Sequence, residues 1–183
     1  MMFFRMVFLF LVSVGLFATT PFANIPWGIS PGAVKIKLAE KGFVPDVSTG
    51  TNAYIGTFMG VKTQVLTFYR GGGVQKIVLN MLTDDNAAIT TYRDIRNVFI
   101  KKLGDPDTSV VKYDYPYSKE DGQDLQAIRA GKLTVFTMWP DSAANNSGIV
   151  VSIEKKLTVE ITYETQVWAA AIAKERESQA DLL

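Results

Sequence analysis

The clearest pattern in the chain is an alternation of apolar and polar residues near its C-terminal end. Between residues 157 and 163, Leu157, Val159, Ile161 and Tyr163 alternate with two threonines and a glutamate. Because successive side chains of a strand point to opposite faces of its sheet, this segment predicts a strand with one buried and one wet face. Such strands are typical of an antiparallel sheet that helices cover on one side only.

Helical spacing of apolar residues predicts two main helices. Apolar residues recur three or four positions apart over residues 88–103, so they lie along one stripe of a helix that ends at Gly104. An earlier helix is predicted to begin after Ser30, which caps it and is followed by a proline suited to the first helical position. Gly42 is predicted to end this first helix.

Six further segments favour strands, since they are rich in β-branched and aromatic residues and are separated by turn residues. They are residues 52–59, 61–70, 74–82, 109–115, 132–139 and 148–154. Together these patterns predict the α+β class, with one curved antiparallel sheet of about seven strands, two main helices on one of its faces and a C-terminal helix.

The two parts of the chain follow the same order: a helix, a stop, a Pro-Asp pair and several strands. The segment Lys41–Ser48 echoes Lys102–Ser109 in this respect. We therefore predict a single domain over residues 24–164 that arose by internal duplication, with halves at 26–82 and 83–164. Residues 165–183 are predicted to form a helical tail.

The composition removes most familiar catalytic chemistry. The 183-residue chain has no cysteine and no histidine, which excludes thiol catalysis, cysteine zinc sites and histidine acid–base chemistry. Its 19 basic and 18 acidic residues leave a net charge of +1, which does not favour a nucleic-acid binder. Carboxylates remain as a route to catalysis, but no pair of them stands out. We expect no catalytic residue, no metal and no cofactor.

The N-terminus carries the pattern of an export signal. Within residues 1–23, Arg5 precedes a run of 13 apolar or small residues. As a helix this run would span about 20 Å, too short for a hydrocarbon core of ~30 Å. We predict a signal peptide that is cleaved between Thr19 and Asn24, and a periplasmic or secreted protein. The alternative is an uncleaved segment that tethers the protein to a membrane.

The best candidate binding residues are aromatic. Tyr113, Tyr115 and Tyr117 alternate, so an extended chain would place all three on one face. They either pack in the core or form an exposed stripe of the kind found at interfaces. With the helices on one face of the sheet, we predict a site at its open face or edge formed by Tyr115, Tyr117, Trp139 and Glu160.

Several local features resemble those of small exported bacterial proteins of unknown function. They are the segment Pro26–Pro31, the Gly-Asp-Pro after the second helix, Trp139 and the end of the chain after Tyr163. The layout is similar to the helix-on-sheet modules of β-lactamase-inhibitor-like and outer-membrane-assembly accessory proteins. This resemblance implies a binding role, and no catalytic residue carries over from it.

These observations favour a non-catalytic binding or accessory module that acts on another protein, as an adaptor, an assembly factor or an inhibitor. Two alternatives remain open. One is a carboxylate-dependent enzyme that acts on glycans, since glycosidases need only two acids. The other is a membrane-tethered accessory subunit that keeps its N-terminal segment.

Overall fold

A computed structural model of the protein describes residues 22–140 and 147–180. The predicted signal peptide at 1–23 therefore lies, apart from its last two residues, outside the described residues. The same holds for residues 181–183 of the predicted helical tail.

The described residues form one antiparallel, curved sheet of eight strands in the order β1-β2-β3-β4-β8-β7-β6-β5. The strands are β1 (Val44–Pro45), β2 (Ala53–Phe58), β3 (Val61–Arg70), β4 (Gly73–Met81), β5 (Thr108–Tyr113), β6 (Leu133–Pro140), β7 (Ser147–Ile153) and β8 (Val159–Thr165). The helices are α1 (Pro31–Ala39), α2 (Ala88–Leu103), α3 (Asp124–Arg129) and α4 (Gln166–Ala180). Short 3₁₀ turns span Phe22–Asn24 and Asp85–Ala87.

The predicted α+β class is confirmed, as are the antiparallel sheet, the two main helices on one face and the C-terminal helix. The sheet has one strand more than predicted, because β1 is two residues long and too short to show an alternating pattern. It pairs Val44 and Pro45 with Ile55 and Tyr54 of β2. The six-residue helix α3 was also not predicted.

The topology repeats across the sheet. In each half a helix is followed by a four-stranded meander, and the halves join through their last strands, β4 and β8. The short sequence echo does not follow this repeat: Pro45 ends β1, whereas Pro106 precedes β5. The similarity of the halves therefore lies in their architecture rather than in that echo.

Helices α1 and α2 pack on the same face of the sheet. Ser30 caps α1 as predicted, since its Oγ accepts a hydrogen bond from the Ala33 N–H at 3.4 Å. The ring of Tyr163 in β8 lies between the two halves, 6.4 Å from the ring centroids of both Phe22 and Phe99. The buried residues of the helices that build this core are Val34, Leu38, Ala88, Tyr92, Ile95 and Phe99. We call the opposite side of the sheet the open face.

The C-terminal helix α4 contacts the end of β3. The ring of Trp168 is centred 5.7 Å from that of Phe68, and Arg70 pairs with Glu175 at 3.0 Å. Phe68 pairs in register with Lys76, whose neighbour Ile77 is buried in the core. Phe68 therefore lies on the open face, and α4 packs at one end of this face. The expectation that helices cover only one side of the sheet is therefore wrong at this end, although α1 and α2 do share one face.

Candidate functional site

Trp139 is part of the core and does not act as an exposed anchor. Its side chain is only 5% exposed, and its ring lies 5.5 Å from that of Phe99. Its indole Nε1–H donates to the carbonyl oxygen of Gly104 at 3.0 Å. Because this carbonyl belongs to the residue that ends α2, Trp139 fixes the end of that helix on the sheet. The prediction that Trp139 forms part of a binding surface is therefore wrong, because its side chain is buried in the core.

The three tyrosines do not share one face. Strand β5 ends at Tyr113, and a turn follows in which the Tyr117 N–H donates to the Asp114 carbonyl at 3.2 Å. The alternation of an extended chain therefore stops after Tyr113. Tyr115 is 91% exposed, whereas Tyr117 is half-buried and packs against the core. Of the predicted aromatic anchors, only Tyr115 is well exposed.

Glu160 lies on the open face, as predicted, within a row of polar residues. It pairs in register with Asn80 of β4 and Ser152 of β7. Its Oε1 accepts a hydrogen bond from Thr162 Oγ1 at 2.8 Å, and Ser152 Oγ donates to Glu154 Oε1 at 2.9 Å. Farther along β8, Glu164 forms an ion pair with Lys76 at 3.4 Å. This row offers hydrogen-bonding groups that are already held in position.

A second, largely apolar row runs beside these polar groups. The register places one residue from each of five neighbouring strands side by side across the open face. They are Leu66, Val78, Thr162, Val150 and Met138. Leu66, Val150 and Met138 are half-buried, so part of their apolar surface is accessible. This row was not predicted, because it runs across the strands and becomes visible only when the pairing order is known.

The open face contains a concavity of about 450 Å³. Its lining includes Lys76, Phe136, Val150, Glu154 and Glu160. Three glutamates face it in all, and each of them already has a hydrogen-bond or ion-pair partner. Among the residues that the structure describes, no group of three or more acids is close enough to hold a metal ion.

A second concavity, of about 280 Å³, lies on the helix-covered side at the outer strand β5. Its floor is apolar and its rim is charged. Its lining residues are Ile89, Tyr92, Arg93, Val111, Tyr113, Lys119, Asp124, Ile128, Leu133, Val135 and Ile153. Since α2 packs chiefly on β7 and β8, Val111 of β5 remains 58% exposed. We call this concavity the β5 cavity.

Tyr113 and Asp124 form the polar contact of the β5 cavity. The Tyr113 hydroxyl donates to Asp124 Oδ1 at 2.7 Å. Burial of the phenol, together with its hydrogen bond to this carboxylate, raises the pKa of Tyr113 to about 12. The phenol therefore stays protonated and remains a donor over the physiological range.

We expect Asp124→Asn to lower the pKa of Tyr113 from about 12, because the carboxylate that disfavours the phenolate is removed. The raised pKa favours the folded state below pH ~10, and this stabilisation is lost as the pH rises toward about 12. A tyrosine-labelled NMR titration measures the change, with Asp105→Asn as the control. An unchanged Tyr113 titration in Asp124→Asn would contradict the assigned cause.

Comparison of the chain with protein-family models, with curated proteins and with solved structures finds no match. The resemblance to small exported bacterial proteins therefore stays a prediction. Within the described part of the chain, no helix is both long and apolar enough to cross a membrane.

Proposed function

We propose that this protein is an exported, non-catalytic binding module that acts on another protein as an adaptor, an assembly factor or an inhibitor. The open face carries this proposal, because an apolar row with three half-buried members, Leu66, Met138 and Val150, lies directly beside a row of hydrogen-bonding side chains. Protein interfaces combine these two kinds of surface, with apolar contact at the centre and polar groups around it. Tyr115 adds an exposed aromatic residue of the type that often dominates binding energy.

The alternative of a carboxylate-dependent enzyme needs two carboxyl groups about 5–10 Å apart. Glu160 and Glu164 lie four residues apart on one strand, which separates their backbones by about 13 Å. Glu154 is closer to Glu160, because Ser152 pairs with Glu160 and Glu154 follows Ser152. If this pair were catalytic, Glu160→Gln would abolish glycan hydrolysis by the purified protein. Under the binding proposal, the unmodified protein hydrolyses no glycan, so Glu160→Gln has no such activity to remove.

The open face is tested by partner capture with the tagged protein followed by mass spectrometry. We expect Val150→Lys, which places a charge in the apolar row, to reduce capture at least about tenfold. Val98→Lys is the matched control, since Val98 is 41% exposed on the outer side of α2. Equal capture by the two variants would contradict a role of the open face.

Replacing Tyr115 with alanine is expected to weaken partner capture by about 1–4 kcal/mol. Because Tyr115 is 91% exposed, the free energy of unfolding should change by no more than about 0.5 kcal/mol. Val47→Ala is the control, since Val47 is equally exposed at 91%. Partner capture and the free energy of unfolding in urea are measured for both variants. If Tyr115→Ala captures as well as Val47→Ala, Tyr115 is not an anchor.

The core position of Phe22 narrows the proposed cleavage site. Phe22 is 8% exposed, and its ring lies 5.5 Å from that of Phe43 and 5.4 Å from that of Phe58. Since cleavage after Phe22 would remove this core residue, we expect the mature chain to begin at Phe22 or shortly before it. Intact mass of the protein from its native host measures this. A mature chain that begins at Asn24 would contradict the expectation, and a full-length mass in the membrane fraction would support the tethered alternative.

A further inference from the structure

We propose that the outer edge of β5 and the β5 cavity together bind an extended acidic segment of a partner protein, which adds to the sheet as a further strand. This inference rests on the proposed function and names a mode of contact for it. Three observations carry it: the free edge of β5, the direction of its unpaired backbone groups and the charges around the β5 cavity.

The two edges of the sheet differ in how well they are protected. At one edge β1 has only two residues and ends in Pro45. At the other edge β5 has six residues without a proline, and no strand in the described part of the chain pairs with its outer side. Natural proteins usually shorten or interrupt exposed edge strands, because unpaired backbone groups attract other chains. A free edge of six residues is therefore a feature that a binding protein can use.

The free backbone groups of β5 belong to the residues that face the β5 cavity. The Asp114 N–H donates to the Lys132 carbonyl at 2.7 Å, continuing the register in which Lys112 pairs with Thr134. Because hydrogen-bonded pairs alternate along an antiparallel ladder, the backbone groups of Val111 and Tyr113 point away from β6. The side chains of these two residues line the β5 cavity. An added strand would thus place every second side chain over this cavity.

The charged residues at the rim of the β5 cavity indicate the charge of the segment that binds there. Arg93 and Lys119 line the β5 cavity, and neither of them takes part in an ion pair among the described residues. The lining holds these two cations and one carboxylate, Asp124, which accepts the Tyr113 hydroxyl, so its basic groups outnumber its acidic ones. A lining that combines an apolar floor with two unpaired cations fits an apolar side chain accompanied by acidic residues. The same cations oppose pairing with a second copy of this edge, which would bring like charges together.

The probe is a short synthetic peptide in which every second residue is threonine. The residues between the threonines are glutamate, leucine and glutamate in that order, so these three share one face of a strand. Binding to the purified protein is measured by fluorescence anisotropy. Two further peptides carry N-methyl groups, one on each alternate set of backbone nitrogens. We expect the unmodified peptide to bind saturably. One N-methylated peptide should bind about tenfold or more weakly and the other should keep its affinity, because only one set of N–H groups meets β5.

Two protein variants complete the test. Val111→Pro removes an N–H that points away from β6, so the ladder within the sheet stays intact while peptide binding falls about tenfold or more. Val111→Ala is the matched control, since it keeps the N–H and retains the larger part of the binding. The N-methylated peptides keep the proposal testable even if Val111→Pro does not fold.

Several results would overturn the proposal. They are the absence of peptide binding, equal binding of the two N-methylated peptides, and tighter binding when lysine replaces glutamate. A concentration-dependent dimer that excludes the peptide would assign the edge to a second copy instead. If peptide binding fails while partner capture still depends on Val150, only this inference falls. If capture depends on neither Val150 nor Val111, the proposed function falls as well.

Discussion

Replacing Trp139 with alanine is expected to lower the free energy of unfolding by about 3–5 kcal/mol. The side chain is 5% exposed and packs against Phe99 of α2. Its removal leaves a cavity between the sheet and the helix, and the Gly104 carbonyl loses its donor at 3.0 Å. Urea unfolding followed by circular dichroism measures the loss.

Trp139→Phe serves as the control for this prediction. It keeps an aromatic ring against Phe99 but removes the donor to Gly104, so the loss should be smaller, about 1–2 kcal/mol. If Trp139→Ala left stability unchanged and reduced partner capture instead, the tryptophan would have to be an exposed anchor rather than a core residue.

Replacing Ile161 with alanine is expected to cost about 2–5 kcal/mol. Ile161 is fully buried in β8, and its registered neighbours Leu79 and Val151 are also fully buried. Because strands surround the site on both sides, the backbone cannot relax easily to fill the cavity. Chemical unfolding of the variant gives the value.

Thr162 provides the matched control, one residue away on the other face of the same strand. Its hydroxyl donates to Glu160 at 2.8 Å on the open face. Because Thr162→Ala removes little apolar surface, the cost should stay at about 1 kcal/mol or less. A loss from Thr162→Ala as large as that from Ile161→Ala would contradict the assignment of the two faces.

The local elements of this protein follow from its sequence. The alternation around Ile161 and the helical spacing over residues 88–103 both predicted the observed elements closely. A strand and a helix each have a fixed side-chain period, so a regular apolar pattern indicates the element and its buried side together. The roles of Ser30 and Gly104 at helix ends were also predicted from local sequence, because helix ends favour particular residue types.

The aromatic site shows where local patterns fail. The spacing of Tyr113, Tyr115 and Tyr117 predicts one shared face only if the chain stays extended, and a turn at Asp114 ends the strand. Trp139 lies on a strand whose buried side depends on which helix covers it, and no local pattern contains that information. An aromatic residue can serve as a core residue or as an anchor, and packing against distant residues decides between them.

The sequence by itself determined the class of the protein, the positions of most strands and helices, and which side of β8 is buried. The tertiary structure alone decided the order of the strands, which of them lies at the free edge, and which side chains stand beside one another across the sheet. The apolar row of the open face and the β5 cavity both arise at this second level. The physical reason is that periodicity along the chain is a local property, whereas pairing between strands is set by contacts among residues far apart in sequence.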